Sequence, residues 1–125
     1  MKKIINTPNA PAPIGPYSQA VLSGNMLFVS GQVAFNPATG DLVMDTLEAE
    51  TTQVMQNLKA VLTEGGATFD NVVMTTIFLS NMDYFATVNS IYGTYFTADF
   101  PARATVAVKT LPKNVNVEIA VIAVL

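Results

Sequence analysis

One arginine and one glutamate carry most of the chemical signal in this chain. Arg103 is the only arginine, and it sits in Phe100-Pro101-Ala102-Arg103-Ala104-Thr105, where a loop runs into an alternating segment. Arg103, Thr105, Ala107 and Lys109 share one face of that segment, and Ala104, Val106 and Val108 share the other. A guanidinium is a planar fork that holds a carboxylate or phosphate through two parallel hydrogen bonds. Its position at the mouth of a strand suits an anion clamp, and equally an arginine that pairs with a surface acid or merely starts the strand. Glu118 stands in Val117-Glu118-Ile119-Ala120-Val121, where its neighbours are all apolar. A carboxylate in such a run is rarely buried unless it is paired or functional. Adjacent antiparallel strands would bring Arg103 and Glu118 together, as a site or as a structural ion pair.

Weaker candidates surround these two. Tyr17 and Ser30 fall at loop or strand ends, where binding groups concentrate. Gly31 directly after Ser30 points to a close backbone approach or an unusual φ/ψ. Asn89 lies beside the apolar stripe of an expected helix, as a binding amide or as a shoulder residue. Ser30-Gly31-Gln32 has no base beside it, and no phosphate loop, dinucleotide fingerprint or nucleophile elbow occurs. With no Cys and no His, the chain has no thiol nucleophile, disulfide, Cys/His zinc site or imidazole base. Catalysis, if present, rests on carboxylates, hydroxyls, amides, lysine, arginine, backbone groups and water.

The elements that must position these groups follow from periodicity. Ser18–Ser23 and Met26–Ser30 are predicted as a hairpin around Gly24-Asn25, and Asn36–Gly40 as a turn. A helix is expected over Thr46–Glu64, capped by Asp45 with Glu48 three residues on and ended by Gly65-Gly66. Its stripe is Leu47, Val54, Leu58, Val61 and Leu62. Val72–Leu79 alternates as a strand. A second helix is expected over Met82–Thr97, capped by Ser80 or Asn81, with Phe85, Val88, Tyr92, Tyr95 and Phe96 inward. Strands follow at Ala102–Thr110 and Val115–Val124, the last apolar on both sides beyond Glu118 and so expected to be central and doubly covered. This is an α+β single domain over 1–125, with two helices on one face of a sheet and the other face left for partner subunits.

Composition bounds the partners. Charged residues are 12% against about a quarter in typical soluble domains, while half the chain is apolar. One small domain has too little interior for that surplus, so a compact homo-oligomer is expected. A net charge of −3 and dispersed lysines argue against a nucleic-acid binder. The opening Met1-Lys2-Lys3-Ile4-Ile5 is interrupted by Asn6-Thr7-Pro8 before any signal-peptide core can form, and Ile119–Leu125 is too short to span a bilayer. A cytoplasmic protein with no membrane partner is the expectation.

The motifs, in order, resemble a known family. Ile14-Gly15-Pro16-Tyr17-Ser18-Gln19-Ala20-Val21, Gly24-Asn25, Phe28-Val29-Ser30-Gly31-Gln32, Asn36-Pro37, Asn57-Leu58, Asp83 to Asn89, Tyr92, Phe96, Pro101-Ala102-Arg103, Leu111-Pro112 and Val117-Glu118-Ile119 are similar to the Rid, or YjgF, proteins over nearly the whole chain. The resemblance implies a chorismate-mutase-like fold, a homotrimer with clefts between subunits, and no cofactor. It implies hydrolysis of 2-aminoacrylate and 2-aminocrotonate, or their imine tautomers, to 2-keto acids and ammonia. By the same resemblance, Arg103 clamps the substrate carboxylate, Glu118 handles the attacking water, and Ala104 and the Thr105 backbone add contacts. Tyr17, Ser30, Gly31 and Asn89 match cleft positions, some of them contributed by a neighbouring subunit. Three departures stand out: Thr105 replaces a common cysteine, Met74 replaces a common lysine, and the loop from Phe96 to Pro101 is shorter than in familiar bacterial members. An alternative within the family is a trimer that binds small carboxylates without turning them over.

Overall fold

A computed structural model describes residues 1–125, and its architecture is one six-stranded mixed sheet with two helices on one face. The strands are β1 (Lys2–Ile5), β2 (Ala20–Ser23), β3 (Met26–Gln32), β4 (Val72–Leu79), β5 (Ala102–Ala107) and β6 (Val117–Val124), with helix α1 (Leu47–Glu64) between β3 and β4 and helix α2 (Phe85–Gly93) between β4 and β5. Their spatial order is β1-β2-β3-β6-β4-β5. Both β3 and β4 run antiparallel to β6, so they are parallel to each other, and β5 is parallel to β4. The two crossovers therefore advance in one direction across the sheet. Right-handed crossovers then place both helices on the same face.

That face holds the core. Leu27 and Val29 of β3, Val117, Ile119, Val121 and Ala123 of β6, and Ile77 and Leu79 of β4 are buried beneath Val54, Leu58, Val61 and Leu62 of α1 and Val88 and Tyr92 of α2. The end of α1 lies so close to β3 that a β-carbon on Gly65 would sit 2.6 Å from a Leu27 methyl. Gly66 follows at φ +83 and ends the helix, as expected from the Gly-Gly pair. No helix is long and apolar enough to cross a membrane.

Several expectations need correction. The N-cap of α1 is Thr46, whose hydroxyl accepts from the Ala49 N–H, so Asp45 stands outside the helix. The second helix is only half as long as its stripe suggests. A 3-10 turn at Met82–Tyr84, capped by Asn81, leads into α2, and the chain leaves the helix after Gly93. Phe96 is nevertheless buried, edge-on to Phe69 at 5.4 Å between ring centroids. Strand β1, absent from the expected elements, pairs with β2 at the sheet edge.

The largest correction concerns β5 and β6. They are not neighbours, because β4 lies between them. Strand β6 is central as expected, yet only alternate residues are buried within one chain. The other sheet face, carrying Phe28, Met74, Thr76, Ala120 and Ile122 around a shallow hollow of about 180 Å³, has no helix over it.

Candidate functional site

The sheet geometry divides the expected site residues into two groups. Arg103 registers with Thr75, a fully buried residue on the helix face, and its guanidinium rests against α2. Glu118 registers with Phe78 and projects from the opposite, open face. The two side chains therefore cannot meet within one chain, and an internal Arg103–Glu118 ion pair is ruled out.

Glu118 occupies a cavity of about 420 Å³ that it shares with Tyr17, Ser30, Gly31 and Lys113. A bulge in β3 makes the site. Between the Val29–Val121 and Gln32–Ile119 pairs, Ser30 and Gly31 stand opposite the single residue Ala120. The extra residue brings the backbone of Gly31 against the Glu118 carboxyl, where an added β-carbon would lie 2.7 Å from Oε2 and 2.8 Å from Cδ. Burial holds the Glu118 pKa above its ordinary value of 4.5, because desolvation disfavours the carboxylate form. The Ser30 hydroxyl donates to the Ser18 carbonyl at 2.6 Å, which leaves its lone pairs to accept. Tyr17 is half exposed at the rim, and its hydroxyl accepts from the Ile14 N–H at 3.4 Å.

The second group is built on α2. Arg103 Nη1 donates to Asn89 Oδ1 at 2.6 Å, and the guanidinium carbon lies 5.4 Å from the Phe85 ring centre and 5.2 Å from that of Tyr92. The guanidinium makes no other hydrogen bond within the chain, which leaves Nε and Nη2 without partners. Tyr92 donates to Thr75 Oγ1 at 3.0 Å, and burial raises its pKa above 10.0, so it is a neutral phenol that fixes the platform. Asn89 holds the arginine and lines the same cavity. Phe100 and Pro101 close this second cavity of about 470 Å³, so the short loop before Arg103 does border it. Ala104 faces the open side with Thr76, while Thr105 faces the helix side with Ile77 and buries an Oγ1 that has no hydrogen-bond partner. Strand β5 is an edge strand, so its outer backbone groups are unpaired by the sheet.

Two supports were missed in the sequence. Gln19 is buried and bonds Thr7 N–H through Oε1 at 2.7 Å, while its amide donates to the carbonyls of Thr7, Ala10 and Pro11 at 3.0, 3.3 and 2.9 Å. It thereby ties the Pro-rich loop to the sheet. Glu50, fully buried on α1, accepts from Asn116 N–H at 2.7 Å, Asn116 Nδ2 at 2.9 Å and Val117 N–H at 3.1 Å. It fixes the start of β6 one residue before Glu118. The unusual place for a carboxylate in an inward helix position was the available signal. No group of three or more acidic side chains gathers to hold a metal ion.

The family model described as Endoribonuclease L-PSP matches residues 7–125. The chain belongs to the Rid/YjgF family. It is 47% identical over 124 residues to the mouse 2-iminobutanoate/2-iminopropanoate deaminase, covering 99% of this chain and 92% of that protein. The crystal structure of the Rid family protein YyfA from Yersinia pestis superposes with a TM-score of 0.97 at 50% identity over the full length of both chains. Escherichia coli TdcF, solved with bound serine, gives 0.94 at 37% identity over 98% of each chain. These comparisons agree on the α+β domain with its six-stranded sheet, and the family includes imine deaminases.

Proposed function

We propose that this protein is a 2-iminobutanoate/2-iminopropanoate deaminase, hydrolysing reactive enamine and imine products of pyridoxal phosphate enzymes to 2-keto acids and ammonia. The observation that carries this reading is the Glu118 carboxyl nested on the Gly31 bulge, partly desolvated, in a cavity with Tyr17 and Ser30. An imine carbon is already electrophilic, so the protein needs only to hold the substrate and guide a water. Glu118 orients the water and takes its proton as the oxygen bonds to the imine carbon. That proton is delivered to nitrogen, giving a carbinolamine; Glu118 then relays the remaining hydroxyl proton to nitrogen as the carbonyl forms and the C–N bond breaks, so ammonia and the keto acid leave.

The substrate carboxylate needs a cation. Lys113 borders the Glu118 cavity, but an ammonium lacks the planar fork that grips a carboxylate through two hydrogen bonds, and Arg103 of the same chain faces the wrong way. A homotrimer resolves this. Its open apolar sheet faces pack together, and the Arg103 fork of one subunit reaches the Glu118 cavity of the next. Exposed Phe28, Met26 and Val106 on that face favour such packing.

Generating 2-aminoacrylate and 2-aminocrotonate in situ with a dehydratase tests the activity. Keto acid should form faster than in buffer and saturate with substrate; an unchanged rate sinks the deaminase reading. A second reading, a trimer that binds small carboxylates without turnover, is favoured by the serine held in TdcF. It predicts saturable binding and no rate gain. RNA cleavage has less to support it, with Lys and Arg numbering 6 against 9 Asp and Glu.

A further inference from the structure

Resting on the deaminase reading, we propose that the Glu118 cavity is one end of a longer apolar trough that receives the substrate side chain, so that the protein favours 2-imino acids with propyl or longer aliphatic side chains. Beyond the cavity of about 420 Å³ lies a second hollow of about 340 Å³, and the two share Pro11, Ala12, Ile14 and Phe35 as walls. The space runs between the Pro-rich loop and the segment that follows the β3 bulge. Its far end is lined by Ala10 and Pro37 among others, and no ionisable side chain borders it. An imino acid with a methyl side chain needs on the order of 100 Å³, taking roughly 30 Å³ for a water-sized group and some overlap between bonded atoms. Even with the Arg103 fork of a neighbouring subunit at the Glu118 end, it would leave the second hollow to water.

The walls are fixed in advance. Gln19 holds the carbonyls of Ala10 and Pro11, and the Asn57 amide holds the Phe35 carbonyl at 2.8 Å. Ile14 is 71% exposed beside the cavity, so an aliphatic side chain laid against it removes apolar surface from water on both partners. A preformed apolar slot with its polar groups gathered at one end fixes both orientation and side-chain class.

Two measurements test this. Calorimetric titration of the wild-type protein with pyruvate, 2-oxobutanoate and 4-methyl-2-oxopentanoate reads the trough through the product acids. Affinity should rise by about fourfold per buried methylene, giving at least about a tenfold gain for the branched acid over pyruvate. Imines generated from alanine and leucine with an amino acid oxidase should show the same order in kcat/KM. Ala12→Phe, which fills the trough, and Ile14→Ser, which strips its wall, should each lower the long-to-short ratio by about fivefold or more, mainly through KM. Hydrolysis of short imines with no preference for long ones overturns the trough alone. Graded binding without any hydrolysis sinks the deaminase reading and leaves the trough standing. Pyruvate binding as tightly as the branched acid overturns the trough whatever the rates show.

Discussion

Gly31 and Glu118 are in such close contact that the glycine has no room for a side chain: a β-carbon there would stand 2.7 Å from Oε2 and 3.0 Å from Cγ of the glutamate. The contact arises because the bulge pushes the β3 backbone toward β6. Gly31→Ala is therefore expected to turn the carboxyl aside while the sheet survives. Imine hydrolysis should fall by at least about tenfold with little change in Tm, since a displaced acid–base group loses most of a contribution worth roughly a hundredfold or more. Full activity in Gly31→Ala would show that the position of the carboxyl against the bulge is immaterial.

Asn89 and Arg103 form a second coupled pair. Arg103→Ala should abolish detectable turnover and leave a folded protein, and Arg103→Lys should remain badly impaired because an ammonium lacks the planar fork. Asn89→Ala keeps the charge and loses the brace, so its expected signature is a KM raised by about tenfold with a smaller change in kcat. Equal loss in both parameters would place Asn89 among the reacting groups.

The pH dependence follows from the direction of the Glu118 shift. Burial raises its pKa above 4.5 in the folded chain, so the carboxylate form, which the proposed mechanism needs to accept a proton from water, is lost as pH falls through that raised value. The acidic limb of kcat/KM should accordingly lie above the ordinary carboxylate range. Glu118→Gln should lower turnover by roughly a hundredfold and erase the limb. A limb that survives in Glu118→Gln would assign the titration elsewhere.

How far the fold could be read from the sequence depended on whether local signals decided it. Strand β4 and helix α1 alternate or repeat cleanly, and Gly65-Gly66 stops α1 where expected. Strand β1 was hidden because three of its four residues, Lys2, Lys3 and Ile4, are exposed, so no buried face shows in its pattern. Periodicity overextends the second helix because Tyr95 and Phe96 keep the apolar spacing after the backbone has left the helix. The pairing of β5 with β4 is a tertiary choice. The chain between β5 and β6 crosses the end of β4 through Lys113 and Asn114, both at positive φ, and nothing local to Arg103 or Glu118 reports that crossing. Both residues were nevertheless singled out by type and context.

Glu50 offers a test of how β6 is held. Its carboxylate satisfies two backbone N–H groups and one side-chain amide in the interior. Glu50→Ala leaves those donors without a partner and should cost about 3 kcal/mol or more. Glu50→Gln keeps an acceptor for the backbone pair, and Asn116 can turn its amide to match, so most of the stability should return. Chemical denaturation of the three proteins reads this directly; an Ala variant as stable as the wild type would mean that water replaces the carboxylate.

The opposite facings of Arg103 and Glu118 make subunit complementation the sharpest test of the proposed cleft. If each site joins Glu118 of one subunit to Arg103 of the next, Arg103→Ala has no detectable turnover and Glu118→Gln about a hundredth of the wild-type value, for different reasons. Coexpressed in equal amounts, they should form mixed trimers in which one interface pairs an intact Glu118 with an intact Arg103. Random cyclic assembly then restores about a quarter of wild-type sites. Tagging one variant and purifying mixed species should enrich that activity, and separately purified homotrimers combined without exchange should show only the residual rate of Glu118→Gln. Mixed trimers that stay inactive would mean that Arg103 and Glu118 do not serve one substrate, and the composite cleft would have to be abandoned.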